Sequence, residues 1–184
     1  LMQEASEKCP GGMAAVLGLD ESEVEEICAK SDVQISNINS DYQIVLSGDH
    51  KSLEHALDLA SNYGAKKVIK LEVSGAFHSS LMSYAEKKME DLIASKEFRC
   101  PDMPIVANSS GKPMTAINDI RRELSRQLCH CVQWKRSMEF LISEGVLNFV
   151  EIGPGRVLSG LVRTFTKTAK ITNVNEFLAK SSSD

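Results

Sequence analysis

The chain has 184 residues, 42% of them hydrophobic and 25% charged, with a formal charge of −4 and a pI near 5.6. That composition belongs to a folded protein with material for one good core or two small ones, and the acidic balance argues against the concentrated basic face that a nucleic-acid binder needs. No apolar run approaches the roughly 20 residues of a membrane-spanning helix, and residues 1–10 lack the basic flank and apolar core of a signal peptide, so a cytoplasmic location is expected.

Taken in order, residues 13–19 (MAAVLGL) read as a short apolar strand. Asp20 follows with Glu23 three positions on, a capping acid and a carboxylate able to reach back, before Val24, Ile27 and Cys28 mark one helical face. Residues 33–37 and 42–46 are strand-like runs separated by Asn39-Ser40-Asp41, whose turn composition predicts an antiparallel hairpin ended by Gly48-Asp49. Leu53, Ala56, Leu57 and Ala60 then recur at helical spacing, Gly64 stands where a helix commonly closes, and residues 68–73 (VIKLEV) alternate as a fourth strand. The order β-α-β-β-α-β over residues 12–73 is the split βαβ, or ferredoxin-like, arrangement.

After His78 the pattern changes to helices separated by single short strands. Met82, Ala85, Met89, Leu92 and Ile93 form one stripe and Ile117, Ile120, Leu124 and Leu128 another, with a strand at 105–107 between them. A helix over Trp134–Ser143 closes at Gly145, residues 149–152 form a buried strand, and Gly153-Pro154-Gly155 turns into a helix carrying Leu158, Leu161, Val162 and Phe165 before a last strand at 171–174. Such α/β alternation predicts a parallel sheet covered on both faces. Only about three strands fall after residue 100 where such a sheet normally has about five or six, so part of the sheet is expected to lie outside this chain.

Several side chains invite chemistry. Cys129-His130-Cys131 has the look of half a zinc site, but no second Cys or His pair supplies the remaining ligands; five cysteines without framework spacing read as reduced thiols, and no metal is expected. His78, in Gly75-Ala76-Phe77-His78-Ser79-Ser80, stands in a loop outside a strand end, where ligand sites of α/β sheets collect and where an imidazole can accept a hydroxyl proton. Its nucleophile is missing: the strained elbow Gly-x-Ser-x-Gly does not occur, and Ser74, Ser79 and Ser80 lie too near His78 in sequence to be presented by a separate one. The missing elbow, the missing strands and the abrupt start at Leu1 lead to the expectation that the chain begins in mid-domain.

Leu1-Met2-Gln3-Glu4-Ala5, Gly12-Met13-Ala14-Ala15-Val16-Leu17-Gly18-Leu19, Asn37-Ile38-Asn39-Ser40, Gln43-Ile44-Val45-Leu46-Ser47-Gly48, Gly75-Ala76-Phe77-His78-Ser79, Gln127-Leu128 before Val132-Gln133-Trp134, and Glu151-Ile152-Gly153-Pro154-Gly155 occur in this order along almost the whole chain. Together they resemble the malonyl-CoA:acyl-carrier-protein transacylase family. The resemblance implies an α/β-hydrolase-like large subdomain, whose C-terminal part would be residues 1–11 and 74–175, with a ferredoxin-like small subdomain inserted at 12–73 and a tail at 176–184. It implies ping-pong transfer of malonyl from coenzyme A to the phosphopantetheine thiol of acyl carrier protein through a serine ester, as in fatty-acid synthesis, with malonyl-CoA as substrate and no cofactor.

Residue by residue, the resemblance makes His78 the catalytic base and acid, and Gln127 the residue whose main-chain carbonyl accepts the histidine's other N–H. Asn39 falls in the family's Asn-x-Asn segment beside the cleft, as a residue positioning His78 or the acyl chain; the alternative is an asparagine capping its own tight turn. Met2 and Met13 match methionines of the acyl pocket, or are core filler. Phe77 matches a bulky ring associated with malonyl over α-methylmalonyl selection. The family's serine and its carboxylate-clamping arginine both precede the segment matching Leu1, so this chain alone is expected to be inactive. The family commonly has a proline before Val132; this chain has Cys131 behind His130, which loosens the expected loop beside Gln127. Gly153-Pro154-Gly155 could bring a helix N-terminus to coenzyme A phosphates or serve close packing, and Arg121, Arg122 and Arg126 form either a dock for the acidic carrier or a solvated face. Rival readings are a non-catalytic partner-binding module with His78 as a remnant, and a related acyltransferase with another acyl group.

Overall fold

A computed structural model describes residues 1–174. The chain forms two compact units, Leu1–Ser137 and the part from Met138 onward.

In the first unit the chain opens with α1 (Met2–Lys8), then β1 (Gly12–Leu17), α2 (Glu21–Ser31), β2 (Gln34–Ser40), β3 (Gln43–Gly48), α3 (His50–Asn62) and β4 (Lys67–Lys70). The four strands form one antiparallel sheet in the order β2-β3-β1-β4. Alternation within the strands divides their side chains between the faces. Ala14, Val16, Ile44 and Leu46, all fully buried, meet Val24 and Ile27 of α2 and Leu53, Ala56 and Ala60 of α3. Met13, Ala15 and Val45 point the other way, where Leu71 and Phe77 pack against them. Both faces of β1 and β3 are therefore covered, and the second cover is the segment that carries His78.

Local chemistry explains the boundaries. Asp20 accepts from Glu23 N while the Glu23 carboxylate accepts from Asp20 N, a complete capping box for α2. Asp49 accepts from Lys51 N and Ser52 N at the start of α3, and Gly64, at φ +91°, takes the left-handed turn that ends it. The hairpin turn falls at Asp41-Tyr42 rather than at Asn39-Ser40-Asp41, so Asn39 belongs to β2. Strand β2 reaches that far by carrying two bulges: its register against β3 steps from Ile35/Leu46 to Asn37/Val45 and from Ile38/Ile44 to Ser40/Gln43, leaving Ser36 and Asn39 as the extra residues. Strand β4 stops at Lys70 rather than 73, because Val73 N turns back onto Leu71 O and the chain peels away toward α1.

The rest of this unit contains a 3₁₀ turn (Ser80–Met82), α4 (Ser83–Ala94), β5 (Ile105–Val106), β6 (Pro113–Met114) and α5 (Ile117–Arg126), with α6 (Trp134–Ser143) carrying the chain into the second unit. Helices α1 and α4 are tied by Glu4, which accepts from Tyr84 Oη at 2.5 Å and Lys88 Nζ at 2.9 Å. In the second unit β7 (Asn148–Glu151), α7 (Val157–Phe165) and β8 (Lys170–Asn173) make one parallel βαβ unit. The expected continuous parallel sheet is not what the described residues form: β5 and β6 are a two-residue antiparallel pair, and β7 is not buried, with Val150 60% exposed and Ile152, just after it, 81% exposed. Periodicity reports the surface a strand is built to cover and not what covers it. For the same reason Ile117, Ile120 and Leu124 of α5 are half-buried, and of that stripe Leu128 alone is buried. The expected tail at 176–184 lies outside the described residues. No helix among those described is long and apolar enough to cross a membrane.

Candidate active site

His78 sits at φ +58°, a left-handed conformation that a residue with a Cβ adopts at a cost. The neighbours hold it there. Ser79, 1% exposed, donates from Oγ to Ala76 O at 2.6 Å, bridging over His78, and the same oxygen accepts from Leu81 N to cap the 3₁₀ turn. Ser80 N donates to Gln34 Oε1 at 2.6 Å, tying the loop to β2. On the other side the loop runs so close to α1 that a Cβ at Gly75 would collide with Ser6 Oγ.

Gln127 reaches His78 across 49 positions of sequence. The segment after α5 runs beside β2: Ile38 N donates to Val132 O at 2.9 Å and Val132 N to Ser36 O at 2.8 Å, a parallel bridge at Asn37 and Val132. That pairing brings the C-terminal turn of α5 to the His78 loop, and His78 Nδ1 lies 2.6 Å from Gln127 O. A carbonyl can only accept, so Nδ1 carries the proton and a neutral ring presents its Nε2 lone pair outward. The Gln127 side chain is turned to Asn108, accepting from its Nδ2 at 3.0 Å. The loop expected to be loosened for want of a proline ahead of Val132 is thus held by the edge of β2, and by His130, whose Nδ1 donates to Arg126 O at 2.7 Å.

Of the other sequence candidates, Phe77 packs with Met13 on the sheet face beneath the loop, and on its other side against Ala5, Met82 and Leu128. Asn39 is half-buried in β2 as a bulged residue, a device that re-aims a side chain, and its amide makes no hydrogen bond to the turn or to any other described residue. Met2 is 37% exposed at the first residue of α1 and joins none of the clusters around Phe77.

Burial pushes the Cys129 thiol, with Glu86 beside it, and the Cys131 thiol each up to about 12, and no group of three metal-ligating side chains occurs among the described residues. Helix α7 offers no open anion site: the Glu151 carboxylate accepts from Leu158 N and Ser159 N at 3.0 Å each and from Ser159 Oγ, filling the helix N-terminus itself. Arg121 does not join an outer basic face either; its guanidinium stacks on Phe98 and donates to Lys96 O, leaving Arg122 and Arg126 exposed. Sequence reasoning missed Ser79 and Asn108 as parts of the site and took His130 only as part of the Cys-His-Cys run and of the loop loosened ahead of Val132; the one signal for its cap was its place four residues after a helix-terminal carbonyl.

A histidine with one nitrogen fixed by a carbonyl has the chemistry to accept a proton at the other, and the chain belongs to the family described as the acyl transferase domain, whose model matches residues 1–179. Among curated proteins it is similar to the malonyl CoA-acyl carrier protein transacylase of Bacillus subtilis (strain 168), at 41% identity over 180 residues covering 95% of this chain and 57% of that protein. Among solved structures it is similar to an acyl carrier protein S-malonyltransferase from Vibrio cholerae, with a TM-score of 0.88 and 32% identity over 94% of this chain and 57% of that one. Another, with a TM-score of 0.89 and 35% identity over 95% of this chain and 58% of that one, is a malonyl-transacylase in complex with a type II PKS acyl-carrier protein. The chain spans somewhat over half the length of the curated relatives it matches.

Proposed function

We propose that this chain supplies the base of a malonyl-CoA:acyl-carrier-protein transacylase whose nucleophilic serine is provided by polypeptide outside these residues. The observation that carries the reading is the 2.6 Å bond from His78 Nδ1 to Gln127 O, since it fixes the tautomer that a general base needs. In the first half-reaction His78 Nε2 takes the serine proton as the serine oxygen attacks the malonyl thioester carbonyl. Collapse of the tetrahedral intermediate breaks the carbon–sulfur bond, and the imidazolium returns its proton to the departing coenzyme A thiolate. In the second, Nε2 deprotonates the carrier's phosphopantetheine thiol, which attacks the serine ester; the proton then goes back to the serine oxygen. Gln127 O, at the negative end of α5, steadies the ring while it is charged, the task an aspartate has in the usual triad.

Phe77 and Met13 form the floor of the acyl pocket in this reading, Asn39 positions the acyl chain or His78, and Met2 lines the pocket from α1. Residues 12–73 act as an inserted ferredoxin-like subdomain, which the strand order β4-β1-β3-β2 supports, within an α/β-hydrolase-like large subdomain. Malonyl-CoA and acyl carrier protein are the substrates, no cofactor takes part, and the setting is cytoplasmic, where thiols such as the five free cysteines here stay reduced. Residues 1–184 alone lack the nucleophile and turn nothing over.

The test is His78→Ala in the full-length, serine-bearing protein. Burst-phase formation of malonyl-enzyme should fall by about a thousandfold or more with the circular dichroism spectrum unchanged; a burst of wild-type size would overturn the assignment.

A further inference from the structure

We propose that His130 is a positioning residue for His78, acting through the C-terminal turn of α5; the proposal rests on the reading of His78 as the base. The last carbonyls of a helix have no partner within it, and at the end of α5 two consecutive ones are taken by imidazoles. Arg126 O accepts from His130 Nδ1 at 2.7 Å and Gln127 O accepts from His78 Nδ1 at 2.6 Å. The His130 bond is local, four residues from the carbonyl it binds, whereas His78 arrives from 49 residues away. His130 therefore helps to set the turn that His78 must find.

The mechanics follow from peptide planarity. Arg126 O and Gln127 N belong to one peptide plane. Its nitrogen end is fixed by Gln127 N donating to Glu123 O at 2.9 Å, and its oxygen end by His130 together with Cys129 N at 3.1 Å. With that plane held, the direction of the Gln127 carbonyl depends on the torsions of Gln127 alone, φ −56° and ψ −24°, and the Asn108 amide at 3.0 Å from Gln127 Oε1 restrains its side chain. Removing the His130 ring leaves the oxygen end of the plane to Cys129 N alone and lets the Gln127 carbonyl tilt off the His78 axis. Burial holds up the thiols flanking His130, and the ring between them is engaged in this cap. His130 is half-buried, so its replacement spares the core.

The experiment compares His130→Ala with His130→Asn, whose Nδ2 is the same number of bonds from the backbone as the imidazole Nδ1 and can make the same bond. The readout on the chain itself is the His78 Nδ1–H proton by NMR. In His130→Ala it should exchange about three- to tenfold faster, the loss of one net hydrogen bond, and in His130→Asn it should return to the wild-type rate. An unchanged rate in the alanine variant, or no recovery in the asparagine variant, overturns the proposal. Turnover of the full-length protein separates it from the reading beneath it: kcat should fall in His130→Ala with KM unmoved and recover in His130→Asn. If the His78 proton loosens while kcat stays at the wild-type value, the positioning stands and the base assignment falls.

Discussion

Phe77 and His78 are neighbours in sequence that answer to different parts of the fold. Phe77 closes the underside of the sheet against Met13, while His78 is turned outward by a left-handed backbone and hands its Nδ1 proton to a helix end. If His78 is the base, as proposed, the neighbouring ring occupies volume that a branched acyl group would need. Phe77→Ala in the full-length protein should therefore narrow the discrimination of malonyl over methylmalonyl by about 1–3 kcal/mol, the value of one methyl, read as the ratio of the two kcat/KM values. At this scale the sequence disclosed residue types and not conformations. That His78 follows a strand and precedes hydroxyls is plain from the letters; that its φ is positive is not, since histidine, though enriched in that region, adopts it only in a minority of cases. The letters set Ser79 aside as a nucleophile but do not reveal that it is a strut, because its partner, Ala76 O, is a backbone atom with no signature.

Elements carry their own chemistry at their ends. Asp32 closes α2 at φ +58° and ψ +36°, where glycine is the residue without strain. Asp32→Gly should raise stability by about 0.5 kcal/mol, the relief of left-handed strain less the extra freedom of an unfolded glycine, measurable as a higher denaturant midpoint at constant slope. At α7 the sign depends on pH. The Ser159 hydroxyl, then the Ser159 and Leu158 amides, hold the Glu151 carboxyl below the ordinary glutamate value of 4.5. A carboxylate whose folded value is depressed adds stability that is complete above the unfolded value and is lost as pH falls through the folded one. Leu158 and Ser159 amide protons should thus lose protection as acid is added below pH 4.5, and Glu151→Ala should lower their protection at neutral pH and remove its acid dependence. Caps of this kind were the most legible part of the fold: Asp20 with Glu23, and Gly64, stand where they were expected. The hairpin turn was misplaced by two bulges, which leave no mark in composition because Ser36 and Asn39 look like ordinary strand and turn residues.

For the whole molecule, the small antiparallel sheet was legible because each of its elements buries its own stripe within the chain. The later strands were legible only as strands. Val150, Ile152 and Val157 are 60%, 81% and 72% exposed, apolar side chains arranged as if for a core that the described residues do not enclose. The chain should therefore bind a hydrophobic dye and self-associate at high concentration. Ile152→Ser should weaken both, by dye fluorescence and sedimentation, without lowering the unfolding midpoint, since a side chain so exposed gains little from folding.

The pairing of Ile38 and Ser36 with Val132 joins stretches separated by about a hundred residues, and closing a loop of that length costs entropy that local contacts cannot repay in advance. During refolding the hairpins and helices of the sheet can assemble while the imidazole still lacks its carbonyl. The bond from His78 to the Gln127 carbonyl, on that account, is the final contact the polypeptide acquires, and the first to go when the edge of β2 frays.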